Sequence, residues 1–159
     1  MPAPGSLIAR RDPRLLTVQR VSLDLPANLS GVTDAPREPV AFVDWLVAKH
    51  PRLAPILEEH MNDYGGELLP HVLFGDVTRH AADLARRGAD DPDAADELQT
   101  LLEDLDEAML PSEGDDAVDN LIWVSFVENA QRVTGDFEEP LRNRLRAFPN
   151  LARALSHYE

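Results

Sequence analysis

The sequence contains no cysteine, and this absence removes several classes of function at once. A chain without cysteine has no disulfide framework, no thiolate metal ligand and no cysteine nucleophile. It is compatible with a reducing compartment. The 159 residues suffice for one domain with an ordinary core, because a folded part of about 120 residues buries roughly two-thirds of the surface of its unfolded chain.

Positive charge is scarce: 15 Lys and Arg face 29 Asp and Glu, which gives a net charge of -14. The imbalance lies in residues 41–159, where ten basic side chains face twenty-five acidic ones. Affinity for nucleic acid depends largely on Lys and Arg that release counterions from phosphates, and anionic membranes also select basic segments. We therefore expect neither nucleic acid nor a membrane as a partner.

Long hydrophobic runs are also missing. The longest candidate, LIWVSFV at residues 121–127, is far shorter than the roughly 18 residues that a membrane span requires. The N-terminal sequence MPAPGSLIARR interrupts its apolar residues with Pro and Gly and places its Arg pair after them, unlike a secretory signal peptide. The sequence therefore predicts a cytoplasmic protein.

Residues 1–38 are rich in Pro and Gly and show no sustained helical period, which predicts an extended or disordered N-terminal arm. Within this arm, residues 15–25 roughly alternate apolar and polar side chains, as in a strand. Such a strand could pair with a second copy of the chain. One alternative function is therefore a structural or regulatory module that forms homo-oligomers through the arm.

The remainder, residues 39–159, has apolar side chains at three- and four-residue steps, with Pro and Gly between the segments. No strand alternation appears after residue 40. We predict an all-α domain, a compact bundle of about five to seven helices. Its centre should be the helix at residues 115–133, because the LIWVSFV run covers nearly its whole circumference and such a helix must be surrounded.

Residues 90–119 carry thirteen carboxylates and no Lys, Arg or His. Most of this stretch is nonetheless predicted to be a helix with one buried face, because its apolar residues recur at helical spacing: Leu98, Leu101, Leu102, Leu105, Ala108 and Met109. The acids are therefore displayed on a folded scaffold. A surface of this charge attracts basic proteins and repels nucleic acid.

We predict that a basic protein partner contacts six of these carboxylates, namely Asp93, Glu97, Asp104, Glu107, Asp115 and Asp116. Three of them, Glu97, Asp104 and Glu107, are expected to be exposed, so that reversing their charge should leave folding intact. The competing interpretation is a solvated acidic face that only keeps the protein soluble.

Three side chains invite an enzymatic interpretation. Asp76 and His80 are four residues apart on one predicted helix, and Glu128 ends the apolar run, so a small metal-dependent or hydrolytic enzyme is a second alternative. The sequence lacks HExxH, Glu-x-x-His, G-x-S-x-G and a glycine-rich phosphate loop. We therefore predict no catalytic residue, metal site or cofactor. Asp76 is expected to orient His80, and Glu128 to be a buried carboxylate held by an Arg.

Three blocks, GGELLPHVLFGDVTRHAADL, LQTLLEDLDEAM and DDAVDNLIWVSFVENA, resemble a family of small, acidic, all-helical bacterial proteins. The resemblance covers about residues 40–150 and omits the arm. Proteins of this type are associated with immunity to polymorphic toxins, so the resemblance implies a non-enzymatic protein that neutralises a basic toxin, often a nuclease, by binding it. Its motifs are packing patterns, and it therefore carries over no active-site residues.

Overall fold

A computed structural model describes residues 35–109, 116–132 and 138–159 of the chain. Within these ranges every regular element is helical, and Ala35–Glu159 forms one compact unit, which confirms the predicted all-α class for the described residues. The strand predicted for residues 15–25 lies outside the described residues, as does most of the predicted arm.

Seven helices occupy the described residues. They are α1 (Pro39–Lys49), α2 (Ala54–Asp63), α3 (Pro70–Arg87), α4 (Pro92–Ala108), α5, α6 (Glu138–Leu145) and α7 (Pro149–Ser156). Helix α5 consists of three consecutive segments: an α-helical turn at Ala117–Asn120, a π-helix at Leu121–Val127 and a second α-helical turn at Glu128–Arg132. It corresponds to the central helix predicted for residues 115–133.

Proline marks where most of these helices begin. Helices α1, α3, α4 and α7 each start on a proline, whose missing N–H costs little in the first turn. Helix α1 stops at Lys49 because His50 precedes Pro51, and a residue before proline is pushed out of helical geometry. A short 3-10 turn, Pro51–Leu53, then leads directly into α2.

Glycine separates the next elements in two different ways. Gly65 and Gly66 have φ angles of 62° and 88°, a region that favours glycine, and they reverse the chain between α2 and α3. Gly88 ends α3 with an ordinary right-handed φ of -61°. A Cβ at this position would lie 3.0 Å from the Leu84 carbonyl oxygen and 3.2 Å from the Ala95 Cα. Glycine therefore allows α3 and α4 to approach closely there, and a larger residue would push the two helices apart slightly.

The core is centred on α3 and on the π-helical segment of α5, which pack along each other. Phe42, Phe74 and Phe126 are completely buried between the helices. The π-helical segment is not enclosed on every side, because Val124 is 40% exposed. The helix that was predicted to be surrounded on all sides is therefore open to solvent at Val124. Among the described residues, no helix combines the length and the apolar character that crossing a membrane requires.

Candidate binding surface on the acidic helix

Helix α4 is the acidic helix predicted from the sequence. It starts at Pro92, and the Asp91 side chain caps it by accepting hydrogen bonds from the backbone N–H groups of Asp93, at 3.0 Å, and Ala94, at 3.4 Å. Its buried face consists almost entirely of apolar side chains, namely Ala94, Leu98, Leu101, Leu102, Leu105 and Ala108. The buried face fixes the rotation of the helix and so decides where each carboxylate lies.

Asp104 lies on the side of α4 that faces α1. Its carboxylate accepts a hydrogen bond from Lys49 Nζ at 2.5 Å and lies 2.7 Å from His50 Nε2. The side chain is only 13% exposed. The prediction that Asp104 is exposed is therefore wrong, because the last turn of α1 and the residue after it supply two basic partners that helical periodicity within α4 could not reveal.

Glu97 lies two turns before Asp104 and is 15% exposed, so its predicted exposure is also wrong. One carboxylate oxygen lies 3.0 Å from His80 Nε2, and the other lies 3.1 Å from Arg52 Nη1, in an ion pair not aligned as a hydrogen bond. His80 is thus held by α4 and not by Asp76, which pairs with Arg79. The i, i+4 spacing permitted a contact between Asp76 and His80, but α4 offers His80 a carboxylate across the interface. We call Glu97 and Asp104 the inner row.

Asp106 has a structural role that sequence reasoning missed. Its side chain is buried, and its Oδ1 accepts hydrogen bonds from the backbone N–H groups of Asn150, at 2.8 Å, and Leu151, at 2.9 Å. These groups belong to the first turn of α7, whose N-cap residue, Phe148, makes no side-chain cap. An apolar residue before Pro149 was the only signal in the sequence that the cap must come from elsewhere.

Four other carboxylates of α4 point to solvent. Asp93, Asp96, Glu103 and Glu107 are exposed and share one face of the helix, next to the inner row. Within the part of the chain that the structure describes, none of them forms an ion pair, and Glu103 only accepts a hydrogen bond from Gln99. We call these four residues the outer row. Helix α4 thus carries neutralised carboxylates on one side and unneutralised ones on the adjacent side.

Asp116 is engaged at the start of α5. It forms an ion pair with Arg37, and its Oδ1 also accepts from the backbone N–H groups of Val118, at 2.9 Å, and Asp119, at 3.1 Å. Arg37 also donates to Asp119 Oδ1, at 2.9 Å, and to the Ala108 carbonyl, at 2.6 Å. Burial alone would raise the pKa of Asp116, but these hydrogen bonds from Arg37 and the two backbone groups hold it below its ordinary value.

The six predicted contact residues therefore fall into different environments. Asp93 and Glu107 are exposed in the outer row, whereas Glu97 and Asp104 are paired in the inner row. Asp116 is paired with Arg37, and Asp115 lies outside the described residues. The structure adds Asp96 and Glu103 to the exposed set. Whether a partner binds any of them stays a prediction.

The residues of the enzymatic alternative have separate partners. Glu128 is paired with Arg132, which confirms that an Arg holds it. The prediction that it is buried is wrong, because its side chain is 16% exposed and the pair lies at the surface. Glu128 also accepts a 3.3 Å hydrogen bond from the Tyr158 hydroxyl. Burial, followed by the negative charge of Glu128, raises the pKa of Tyr158. Asp76 and His80 are engaged elsewhere, and within the described ranges no three His, Asp or Glu side chains are grouped to hold a metal ion.

The π-helical segment was not predicted, and polar side chains satisfy its displaced carbonyl groups. The Ser125 carbonyl accepts from Asn129 Nδ2, at 2.6 Å. The Thr78 hydroxyl, which donates to the Phe74 carbonyl at 2.7 Å, also lies 3.3 Å from the Ser125 carbonyl. The Ser125 hydroxyl lies 2.6 Å from His71 Nδ1. Among the described residues no carboxylate binds the other nitrogen of His71, so the pair lacks the third group that orients a catalytic base. π-Helical turns are frequent at functional sites, yet these contacts account for this one structurally.

Most of the chain matches the model of one protein family. The model of a family described as a domain of unknown function, DUF7674, matches residues 43–157. The match covers more than two-thirds of the chain and includes α2 to α7 and most of α1. No curated protein and no solved structure matches the chain.

Proposed function

We infer that the chain, which belongs to the DUF7674 family, is a non-enzymatic protein that binds a basic protein through the outer row of α4. In its most concrete form, the proposal is a cytoplasmic bacterial immunity protein that neutralises a basic toxin. The family description assigns no activity. The proposal therefore rests on the physical chemistry of the surface and on the resemblance in the three sequence blocks.

One observation carries the proposal: the carboxylates on two adjacent sides of α4 differ in whether they contact basic side chains. The inner row contacts the basic side chains of Lys49, His50, Arg52 and His80, whereas the outer row has no ion-pair partner among the described residues. Four exposed carboxylates on one helical face repel one another, which disfavours the isolated protein slightly. A partner with complementary charge removes this repulsion on binding.

A surface of this kind suits an inhibitor of a nucleic-acid enzyme. Opposite charges steer the encounter of two proteins and raise the association rate, whereas the same surface excludes nucleic acid from the inhibitor itself. The expected contact set is revised by the geometry. It consists of the outer row, because Glu97, Asp104 and Asp116 already form ion pairs with basic side chains of the chain itself and would have to give them up to bind a partner.

The test compares two triple charge reversals with equal change in net charge. The first replaces three outer-row residues with lysine: Asp96, Glu103 and Glu107. The matched control replaces three exposed acids of other elements, which also form no ion pair among the described residues: Asp44, Glu58 and Glu67. Each protein is used to retain partners from lysate of its own source at low and at high salt, and retained proteins are identified by mass.

We expect the unaltered protein and the control to retain the same basic protein at low salt, and the outer-row variant to lose it. With that protein purified, the association rate of the outer-row variant should fall by at least tenfold at low salt and depend less on salt. Co-expression should then protect cells from it. Retention of the same protein by both triple variants, or of no basic protein by any form, would overturn the proposal.

A further inference from the structure

A second site is suggested by a cleft of about 680 Å³ between α2 and α3, which shares no residue with the outer row. Its walls combine acidic, apolar and imidazole groups, among them Glu59, His60, Asp63, Tyr64 and Val72. The loop that contains Gly65 and Gly66 joins the two helices that form its walls. The cleft is large enough for an amino-acid residue.

His60 is the unusual group in this cleft. Its ring is only 2% exposed, and its Nε2 accepts a hydrogen bond from the Leu69 backbone N–H at 3.0 Å. Because Nε2 must therefore carry a lone pair, the proton of the neutral ring resides on Nδ1. Nδ1 is buried and has no hydrogen-bond partner among the described residues. A buried donor without an acceptor disfavours the unliganded state, so an acceptor brought by a ligand gains affinity there.

The charge of the cleft is negative. Asp76 and Arg79 form an ion pair on one wall and balance each other. Glu59 and Asp63 lie four residues apart on α2, so they share one face of the helix. They form no ion pair within the described part of the chain. Two unbalanced carboxylates on one wall attract a cation.

Two apolar side chains that line the cleft are exposed. Tyr64 and Val72 are each 43% exposed, and they are two of the four large hydrophobic residues that are exposed in the described part of the chain. The ring of Tyr64 packs against that of His60, with 4.7 Å between the ring centroids and an angle of 36° between the ring planes. An aromatic ring beside carboxylates favours an organic ammonium group, since it interacts with the cation and with the alkyl carbons next to it.

We propose that this cleft is a binding site for a lysine residue of a peptide. The ammonium group lies between Glu59 and Asp63, the alkyl chain packs on Tyr64 and Val72, and a backbone carbonyl of the peptide accepts the hydrogen bond that His60 Nδ1 offers. Tyr64 turns away from His60 to admit this carbonyl. The proposed contacts use no residue of the outer row, so the site is tested separately from the proposed function.

The test titrates the full chain with a glycine–lysine–glycine peptide that is blocked at both ends. A second peptide replaces lysine with norleucine, which keeps the alkyl chain and removes the ammonium group. Binding is followed by nuclear magnetic resonance at the His60 ring nitrogens and the Leu69 amide. We expect the lysine peptide to produce saturable shifts at both positions and to bind at least tenfold more tightly than the norleucine peptide.

Variants of the carboxylates localise the site. The double variant Glu59→Gln and Asp63→Asn keeps both shapes and should weaken the lysine peptide by about three- to tenfold, as expected for two exposed charges. The double variant Glu58→Gln and Glu67→Gln changes the net charge equally outside the cleft and should have no effect beyond twofold. Absence of saturable shifts at His60 and Leu69 would overturn the proposal. Equal binding of the two peptides, or equal weakening by the two variants, would also do so.

Discussion

The two sides of α4 carry the same kind of residue in different circumstances. The inner row is less than one-sixth exposed and each of its members contacts two basic side chains, whereas the outer row lies in solvent without an ion-pair partner in the described part of the chain. The rows are neighbours on one helix, so composition and helical period do not distinguish them. Whatever lies across from a carboxylate decides whether it supports the fold or is available to a partner.

The largest loss of stability is expected from a substitution in the inner row. Asp104→Lys places an ammonium group against Lys49 and His50, where the side chain is only 13% exposed, and removes the anion that held them. We expect the free energy of unfolding to fall by about 2–4 kcal/mol, because a partly buried charge is left unpaired. Urea unfolding at pH 7 measures this loss of stability. The matched substitution Glu103→Lys in the outer row should change stability by less than about 0.5 kcal/mol, and equal losses would contradict the division into two rows.

The next largest loss of stability is expected at Asp106, the buried carboxylate of α4 that caps α7. Asp106→Ala removes the acceptor of two backbone N–H groups in the first turn of α7 and should cost about 1–2 kcal/mol of stability. Asp106→Asn retains an acceptor oxygen and should cost less. Glu107→Ala, at the next residue, is the control, because Glu107 belongs to the exposed outer row. Thermal unfolding of the three variants should rank Asp106→Ala lowest, and a larger loss in Glu107→Ala would be inconsistent with the cap.

A third prediction uses pH to test the paired state of Asp116. The pKa of Asp116 is held below its ordinary value of 3.8, chiefly by hydrogen bonds from Arg37 that outweigh the effect of burial. Its contribution to stability is therefore complete above about pH 4 and is lost as pH falls through the lower pKa of the folded state. Arg37→Ala should reduce stability by about 1 kcal/mol at pH 7. The difference between this variant and the unaltered protein should shrink below pH 4, and a difference that grows there would contradict the ion pair.

The smallest effect is expected in the outer row and has the opposite sign. Glu103 and Glu107 are like charges one turn apart, so Glu103→Gln should stabilise the protein by about 0.2–0.5 kcal/mol at low salt. The gain should disappear at high salt, where exposed charges are screened. Chemical unfolding in low and high concentrations of sodium chloride measures both values. A loss of stability would show that the charge of Glu103 is attracted to a cation within the chain.

The helices themselves could be predicted from the sequence because local chemistry specifies their ends. Pro92 with Asp91 before it, the His50–Pro51 step and the pair Gly65 and Gly66 all act within a few residues, so they are visible in the sequence. The all-α class and the central position of α5 followed from the same local patterns.

The sorting of the acids could not be predicted, because it depends on contacts between distant parts of the chain. Glu97 and Asp104 lie just beside the buried face of α4, and only the course of α1 and α3 shows that basic side chains reach them. Arg37, in the range assigned to the arm, reaches Asp116 across 79 positions in the sequence. Helical spacing states which side chains share a face, but not which element covers that face.

The cap that Asp106 provides has a consequence for the order in which structure is lost. Helix α7 has no side-chain cap of its own, so its first N–H groups depend on a carboxylate 44 and 45 residues earlier in the chain. Separation of the two helices exposes both groups to solvent together, even if α7 stays helical. Hydrogen exchange at the Asn150 and Leu151 amides therefore reports how often α4 and α7 separate, which gives this protein a built-in probe of that opening.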